Sequence, residues 1–500
     1  MNSKHLVAID IGTQSSRAAV LTRDGDILGI HQIKHELNSP QPGWAQQNPE
    51  LWWTETCRAL RNVLRETGVD TASIAAVSTC GQMHGPVGVD DAGKVTTPWV
   101  QLWCDKRCSE QCEAIRQSHH EADLRRLSGN SIFPAWTGIK VRWHKDHEPK
   151  SYHRTRWFLV PKDFINYRLT GVAAADPSEA SCSFLWDCVT EDYSADLADA
   201  VGVDLGKFAP VHPSHEVIGE VSAKAAKLTG LPAGVPVVAG GGDFPVSMLG
   251  FGIAGDGVTA DVTGTSTLLA AHTKSPLLDP AIQNLRHVVP GWIPFTILDC
   301  GGLSMKWCRD LVASIRGRDV SYEQLIAMAA KAPAGSEGLI FYPYMLGERR
   351  RENTTSRGGY FGLTLQHSAP HFVRAVMEGV ALTMGKDLGD FKNQGHQIRR
   401  LMSVGGGTRN ELWNKIKASI TGVPIELSEE PEAGLKGAAL LGAAGVGLIG
   451  DLVQTAVARR TKTRTVRPDK TMMKTYREMQ KEYVRIYEHM LGFWMEDHSQ

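Results

Sequence analysis

The sequence predicts an α/β protein made of two similar halves that face one another across a cleft. Three observations lead there. Short apolar runs repeatedly end in Gly, Thr, Ser or Asp, as strands do when their carboxyl ends line a binding crevice. The string Asp10-Ile11-Gly12-Thr13-Gln14-Ser15 has an echo half the chain later, in Asp261-Val262-Thr263-Gly264-Thr265-Ser266. The 500 residues exceed one ordinary core, and no low-complexity linker separates the halves. A compact hinge is therefore expected near residues 245–255, dividing the chain into domains 1–250 and 251–500.

Each element has its own signal. Leu6 to Asp10 reads as a buried strand that ends on a carboxylate, Gly12-Thr13 as its turn, and Arg17 to Leu21 as the returning strand. Asn48-Pro49-Glu50 opens a helix, with Asn as cap and Pro at the first position; Trp52, Trp53, Leu60, Val63 and Leu64 suit its buried side. Ile74 to Val77 is a strand that runs into Gly81-Gln82-Met83-His84-Gly85. Val235 to Ala239 runs likewise into Gly240-Gly241-Gly242-Asp243, and Val258 to Gly264 and Leu401 to Val404 are further strands. Glu432 to Gly447 is a helix so rich in Ala and Gly that another backbone can approach it closely. Residues 470–495 predict a polar amphipathic helix at the periphery.

Composition narrows the partners. Basic and acidic residues number 54 each, so no one-signed field draws the chain to nucleic acid or to an anionic membrane. No run reaches the roughly 18 apolar residues that span a bilayer. The opening MNSKHLVAID lacks the pattern of a secretory signal, and nine cysteines fit reduced thiols, so a cytoplasmic setting is expected. Cys104, Cys108 and Cys112 read as unlinked thiols on or under a helix, and His144 and His147 as a solvated helix face without a third metal ligand.

The chemistry lies in the turns. Gly12-Thr13-Gln14-Ser15 and Gly264-Thr265-Ser266 offer backbone N–H groups, small hydroxyls and room for a phosphate. Gly405-Gly406-Gly407 follows a strand and precedes a helix starting near Asn410, a place for a phosphate or a flat base. A P-loop string is absent. Asp243 is the candidate base, and its position also suits a helix cap. Asp10 is the candidate magnesium ligand beside nucleotide phosphates. Met83 and His84 sit on a loop able to meet a sugar, and Arg349-Arg350-Arg351 could attract phosphate.

Two longer patterns resemble a known family. Residues 359–379, GYFGLTLQHSAPHFVRAVMEG, are similar to the C-terminal signature of FGGY-type carbohydrate kinases, and residues 132–143, IFPAWTGIKVRW, to the N-terminal one. The resemblance implies the actin-like ATPase fold, two ribonuclease-H-like domains around a central cleft. It implies ATP and Mg²⁺, with Asp10 and Asp243 at the metal and Asp243 as general base. It places Gly12, Thr13, Gln14, Ser15, Gly264, Thr265, Ser266 and Gly302 on the nucleotide, and Gly405, Gly406 and Asn410 on its adenosine side.

Gly81 to Gly85 resembles the substrate loop of the xylulokinase branch, which implies sugar contacts from Gln82, Met83 and His84. Trp103-Cys104-Asp105-Lys106-Arg107 resembles that branch's Trp-Asn-Asp-x-Arg and adds Asp105. The implied reaction converts a ketopentose such as D-xylulose to its 5-phosphate, and a homodimer is compatible with it. Two departures stand out: Phe244 replaces the usual Asn after the base, and Arg350-Arg351 replaces Thr-Pro. Loss of an amide at a pocket edge bears on hydroxyl readout, so another ketose, a polyol or an autoinducer-2 type sugar also fits. A different class, an actin-like nucleotide switch, has no need of the sugar loop or the base.

Overall fold

The computed structural model describes residues 4–255, 257–348, 355–460 and 464–495. The first sheet contains β1 (His5–Ile11), β2 (Ser15–Thr22), β3 (Ile27–Lys34), β4 (Ile74–Gly81), β5 (Val217–Glu220), β6 (Pro236–Val238) and β7 (Gly241–Gly242). Their order is β5-β6-β4-β1-β2-β3, with β7 beside β4. The second sheet contains β8 (Val258–Thr263), β9 (Thr267–Ala271), β10 (Gln283–Arg286), β11 (Trp292–Leu298), β12 (Arg400–Val404), β13 (Ile425–Leu427) and β14 (Arg464–Val466). Its order is β10-β11-β9-β8-β12-β13-β14.

The two sheets repeat one plan. From β3 to β5 the neighbours run antiparallel, antiparallel, parallel, parallel, antiparallel. From β11 to β14 the sequence of directions is the same. The short echo between Asp10 and Asp261 thus marks equivalent strands, β1 and β8.

Helices cover these sheets and hold the site. They include α1 (Pro49–Thr67), α2 (Thr137–His147), α3 (Pro161–Thr170), α4 (Asp243–Gly250), α5 (Gly301–Arg316), α6 (Tyr322–Ala329), α7 (Ala369–Asn393), α8 (Glu411–Thr421), α9 (Ala433–Gly445) and α10 (Lys470–Met495). At α1 the Asn48 side chain accepts the Glu50 N–H at 2.9 Å, Pro49 opens the helix, and the expected Trp and Leu face is buried.

Near the expected division the two sequence halves interleave. Helix α9 comes from the second half but packs on β1 and β4 of the first sheet and against α4. Backbones there nearly touch. A Cβ on Gly250 would lie 1.9 Å from Ala433 O, and one on Gly437 would lie 2.0 Å from Val246 O. Helix α10 is amphipathic but less peripheral than its polarity suggests. Tyr476, Tyr483, Tyr487 and Trp494 form an apolar stripe that is buried with residues of α7 and α8. Among the described residues no helix is long and apolar enough to cross a membrane.

Candidate active site

Strand register brings the first set of residues together. Cys80 on β4 lies beside both Asp10 on β1 and Gly241 on β7; one step on, Gly81 lies beside both Ile11 and Gly242. The carboxyl ends of three parallel strands therefore present Asp10, the Gln82 loop and Asp243 side by side. Gly240 has φ 73°, and a Cβ there would stand 2.0 Å from Thr79 O, so glycine is required for the turn. A Cβ on Gly242 would strike Met83 at 2.7 Å, which shows how closely the Met83 side chain packs on the loop before Asp243.

Asp243 is the first residue of α4, with Gly242 at the cap position; its Oδ1 accepts the adjacent Phe244 N–H at 2.7 Å and does not cap the helix as its sequence position suggested. The residue is half-buried. Desolvation pushes its pKa up to about 7, with the charge of Asp10 adding to the rise and Phe244 N–H and Arg17 opposing it. A carboxyl so placed holds and releases a proton near neutrality, as a general base must.

Asp10 is buried. Its Oδ2 accepts from Arg17 Nε at 3.1 Å and pairs with the same guanidinium, whose Nη1 reaches Glu432 Oε2 at 2.7 Å. Its Oδ1 is buried with no protein hydrogen-bond partner. A bare carboxylate oxygen, close enough to Asp243 to raise that group's pKa, fits a divalent cation. Among the described residues no group of three or more His, Cys, Asp or Glu forms a metal site, so phosphate oxygens and water would have to complete the shell.

Both hairpins close as expected. In the first, Gly12 N–H donates to Ser15 O at 2.9 Å, Thr13 Oγ1 accepts from Trp103 Nε1 at 3.2 Å, and Ser15 Oγ accepts from Gln32 Nε2 at 2.8 Å. Gln14 is exposed at the tip. In the second, Gly264 N–H donates to Ser266 O at 2.9 Å, and Gly264 and Thr265 are exposed. The start of α5 docks on this hairpin, with Gly302 N–H on Gly264 O at 3.1 Å; a Cβ on Gly302 would lie 2.0 Å from that oxygen.

A cavity of about 530 Å³ opens beside the second hairpin. Gly264, Thr265, Gly302, Gly406 and Asn410 line it, whereas Ser266 and Gly405 are not among its lining residues. Gly405, with φ 88°, instead lets its loop pass β8, where a Cβ would meet Thr263 O at 2.8 Å. The sequence reading missed the apolar wall of Leu303, Met305, Tyr322, Ile326 and Trp413. Its only signal was ordinary helical spacing, as in Tyr322 and Ile326, which any buried helix face shows.

The loop from Gly81 to Gly85 is tightly held. Gln82 is 1% exposed; its N–H donates to Ile11 O at 2.7 Å and its Nε2 to Gln47 Oε1 at 3.0 Å. His84 has φ 71°, its N–H faces Glu179 Oε2 at 3.3 Å, and its ring stands edge-on to Trp136 at 5.5 Å. Burial, reinforced by Lys140, lowers its pKa to about 3, so the imidazole is neutral and can both donate and accept. Lys140 is itself buried, with Nζ on Leu102 O at 2.7 Å, and desolvation lowers it to about 8. Lys140 and Glu179 were not singled out from sequence.

Asp105 is placed differently from Gln82, Met83 and His84. It is fully buried and accepts from Ala45 N–H at 2.7 Å, from Arg107 N–H at 2.9 Å and from the Arg107 guanidinium at 2.7 Å. Those donors occupy its lone pairs, and Arg107 in turn lies 3.5 Å over the Trp44 ring. His144 departs from its expected solvated face: it is 1% exposed and bonds Glu148 Oε2 at 2.8 Å, because α2 packs that side inward, while His147 stacks on Trp143 at 4.7 Å. Cys108 and Cys112 are buried free thiols and Cys104 is half-buried; desolvation raises Cys112 to about 12. Arg349, Arg350 and Arg351 lie outside the described residues.

Comparison with known proteins shows the family. Residues 5–250 match the N-terminal domain of the FGGY family of carbohydrate kinases, and residues 260–446 match its C-terminal domain. The xylulose kinase of Escherichia coli (strain K12) is 30% identical over 424 residues, 84% of this chain and 85% of the relative. The autoinducer-2 kinase of Escherichia coli O139:H28 (strain E24377A / ETEC) is 28% identical over 523 residues, 98% of this chain and 95% of the relative. The solved xylulose kinase from Rhodospirillum rubrum superposes with a TM-score of 0.92 at 28% identity, covering 98% of this chain and 100% of that one. Two matching sheets and two matching domains lead to one conclusion: the chain belongs to the FGGY family of carbohydrate kinases and has their actin-like fold.

Proposed function

We propose that the chain transfers the γ-phosphoryl group of ATP to a hydroxyl of a small ketose, with D-xylulose the first substrate to test. The observation that carries this reading is Asp243. It follows a strand end whose Gly242 packs on Met83, is half-buried, and has a pKa raised to about 7 by desolvation and then by Asp10.

In this reading the sugar lies against Gln82, Met83 and the neutral His84, and Asp243 accepts the proton of the attacking hydroxyl. Asp105 contributes by fixing Arg107 in the wall beside Trp44. The nucleotide phosphates lie between the two hairpins, and the adenosine occupies the cavity walled by Tyr322, Ile326 and Trp413. Asp10, helped by Asp243, would hold Mg²⁺, which neutralises charge on the phosphates when bound. Closure of the two halves excludes water, whose attack on ATP is the competing reaction. ATP as the donor suits a cytoplasmic setting.

Phe244 favours a second substrate class. It packs edge-to-face on Phe295 at 5.8 Å, directly after the proposed base, and in this reading it puts an apolar ring where an amide would read a hydroxyl. A sugar with fewer hydroxyls on that side, of the autoinducer-2 type, suits such a wall.

An ADP-release assay over D-xylulose, L-xylulose, D-ribulose, erythrulose and common polyols tests the reading. At least one acceptor should raise ADP release roughly a hundredfold or more over the rate without sugar. Slow ATP hydrolysis that no sugar stimulates would instead favour a nucleotide switch.

A further inference from the structure

Between the first hairpin and the sugar loop lies one buried amide that neither site claims. Gln47, just ahead of α1, is 3% exposed and makes four hydrogen bonds. Its Nε2 donates to Thr13 O at 2.8 Å and to Glu36 O at 3.2 Å. Its Oε1 accepts from Trp52 Nε1 at 3.1 Å and from Gln82 Nε2 at 3.0 Å.

The chemistry of the partners fixes every orientation in this chain. An indole N–H only donates and a backbone carbonyl only accepts, so Trp52 and Thr13 together set the Gln47 amide one way round. Gln47 Oε1 then demands a donor from Gln82, which must turn its Nε2 inward. Gln82 Oε1 is left buried with no protein partner, in a loop whose neighbours are Met83 and His84. A buried carbonyl oxygen without a donor is costly, and a sugar hydroxyl supplies one.

We propose that Gln47 is a positioning residue that holds Gln82 as a hydroxyl acceptor in the sugar pocket and ties that pocket, through the same amide, to the first phosphate hairpin at Thr13. The inference rests on the reading of Gly81 to Gly85 as the sugar loop. A merely structural Gln47 would affect stability without separating the two substrates, so the two arms are measured separately.

In Gln47→Glu the carboxylate still accepts from Trp52 and Gln82. It cannot donate to Thr13 O, and it adds negative charge beside the hairpin. MgADP binding measured by calorimetry without sugar should weaken about tenfold, while the KM for D-xylulose stays within about threefold. Gln82→Leu should do the reverse, raising the D-xylulose KM about tenfold with MgADP affinity within about threefold. Trp52→Phe removes the donor that orients the amide and should weaken both; it carries the test if Gln47→Glu does not fold.

A folded Gln47→Glu with both constants near parental, or with both weakened by the same factor, would overturn the proposal. So would a Trp52→Phe variant that is indistinguishable from the parent. A parent that phosphorylates no sugar sinks the kinase reading, whereas an active parent with an unaffected Gln47→Glu sinks only the tie through Gln47. The nucleotide arm needs no sugar and remains decisive in either case.

Discussion

Asp10 and Asp261 occupy equivalent strands of two sheets built to one plan, and their neighbours differ. Asp10 lies beside Arg17 of β2 and Cys80 of β4; Asp261 lies beside Leu269 of β9 and Ser403 of β12. Asp261 is wholly buried, with Oδ2 on Lys417 Nζ and on Ser403 Oγ, each at 2.8 Å, and Oδ1 on Thr263 Oγ1 at 2.5 Å. Lys417 also donates to Thr263 Oγ1 at 2.8 Å, directly below the second hairpin. Asp10 keeps an oxygen without a protein partner and a guanidinium that it shares with Glu432. A repeated backbone therefore does not repeat the chemistry. One carboxylate is a strut that holds a hairpin, and the other keeps a free oxygen beside the proposed base.

Substituting the two carboxylates gives the widest separation. Asp10→Asn keeps the shape of the side chain and removes its charge, so kcat should fall roughly a thousandfold in steady-state assays, with the melting temperature little changed. Asp261→Asn should show the opposite pattern. It leaves Lys417 buried without its counter-charge, which costs about 3–5 kcal/mol in denaturant unfolding, while the folded fraction retains most of its turnover. Equal losses of activity in both variants would erase the distinction.

A smaller effect sharpens the link between Asp10 and Asp243. A base must be deprotonated to act, so kcat/KM should fall as pH drops through about 7, where the raised pKa of Asp243 lies. Desolvation is the larger cause and the Asp10 charge the next. In Asp10→Asn the Asp243 titration, followed by carboxylate carbon NMR without nucleotide, should therefore move to lower pH but stay above the ordinary carboxylate range. An unmoved titration would separate the two groups electrostatically.

Much of this was legible in the sequence because short turns carry their own chemistry. Gly12 to Ser15, Gly264 to Ser266 and Gly240 to Asp243 follow apolar strands and need glycine at defined points, so their place at strand ends could be read directly. What escaped reading depends on partners that only the fold brings into contact. The Ala and Gly of α9 announced a close contact but not that its partners would be β1, β4 and α4. The apolar wall of the cavity looked like any helix face. Asp105 gave no sign that Arg107, two residues on, would fill its lone pairs. Gln47 looked like an ordinary polar residue ahead of a helix cap, since its role arises only when Thr13, Trp52 and Gln82 converge on it.

The most direct measurement is sugar-dependent ADP release by Asp243→Ala, taken alongside its affinity for MgADP. Loss of turnover by roughly a thousandfold, with nucleotide affinity within about threefold of the parent, is the expected result. Near-parental phosphorylation by that variant would contradict the assignment of Asp243 as the base and, with it, the arrangement proposed for the cleft.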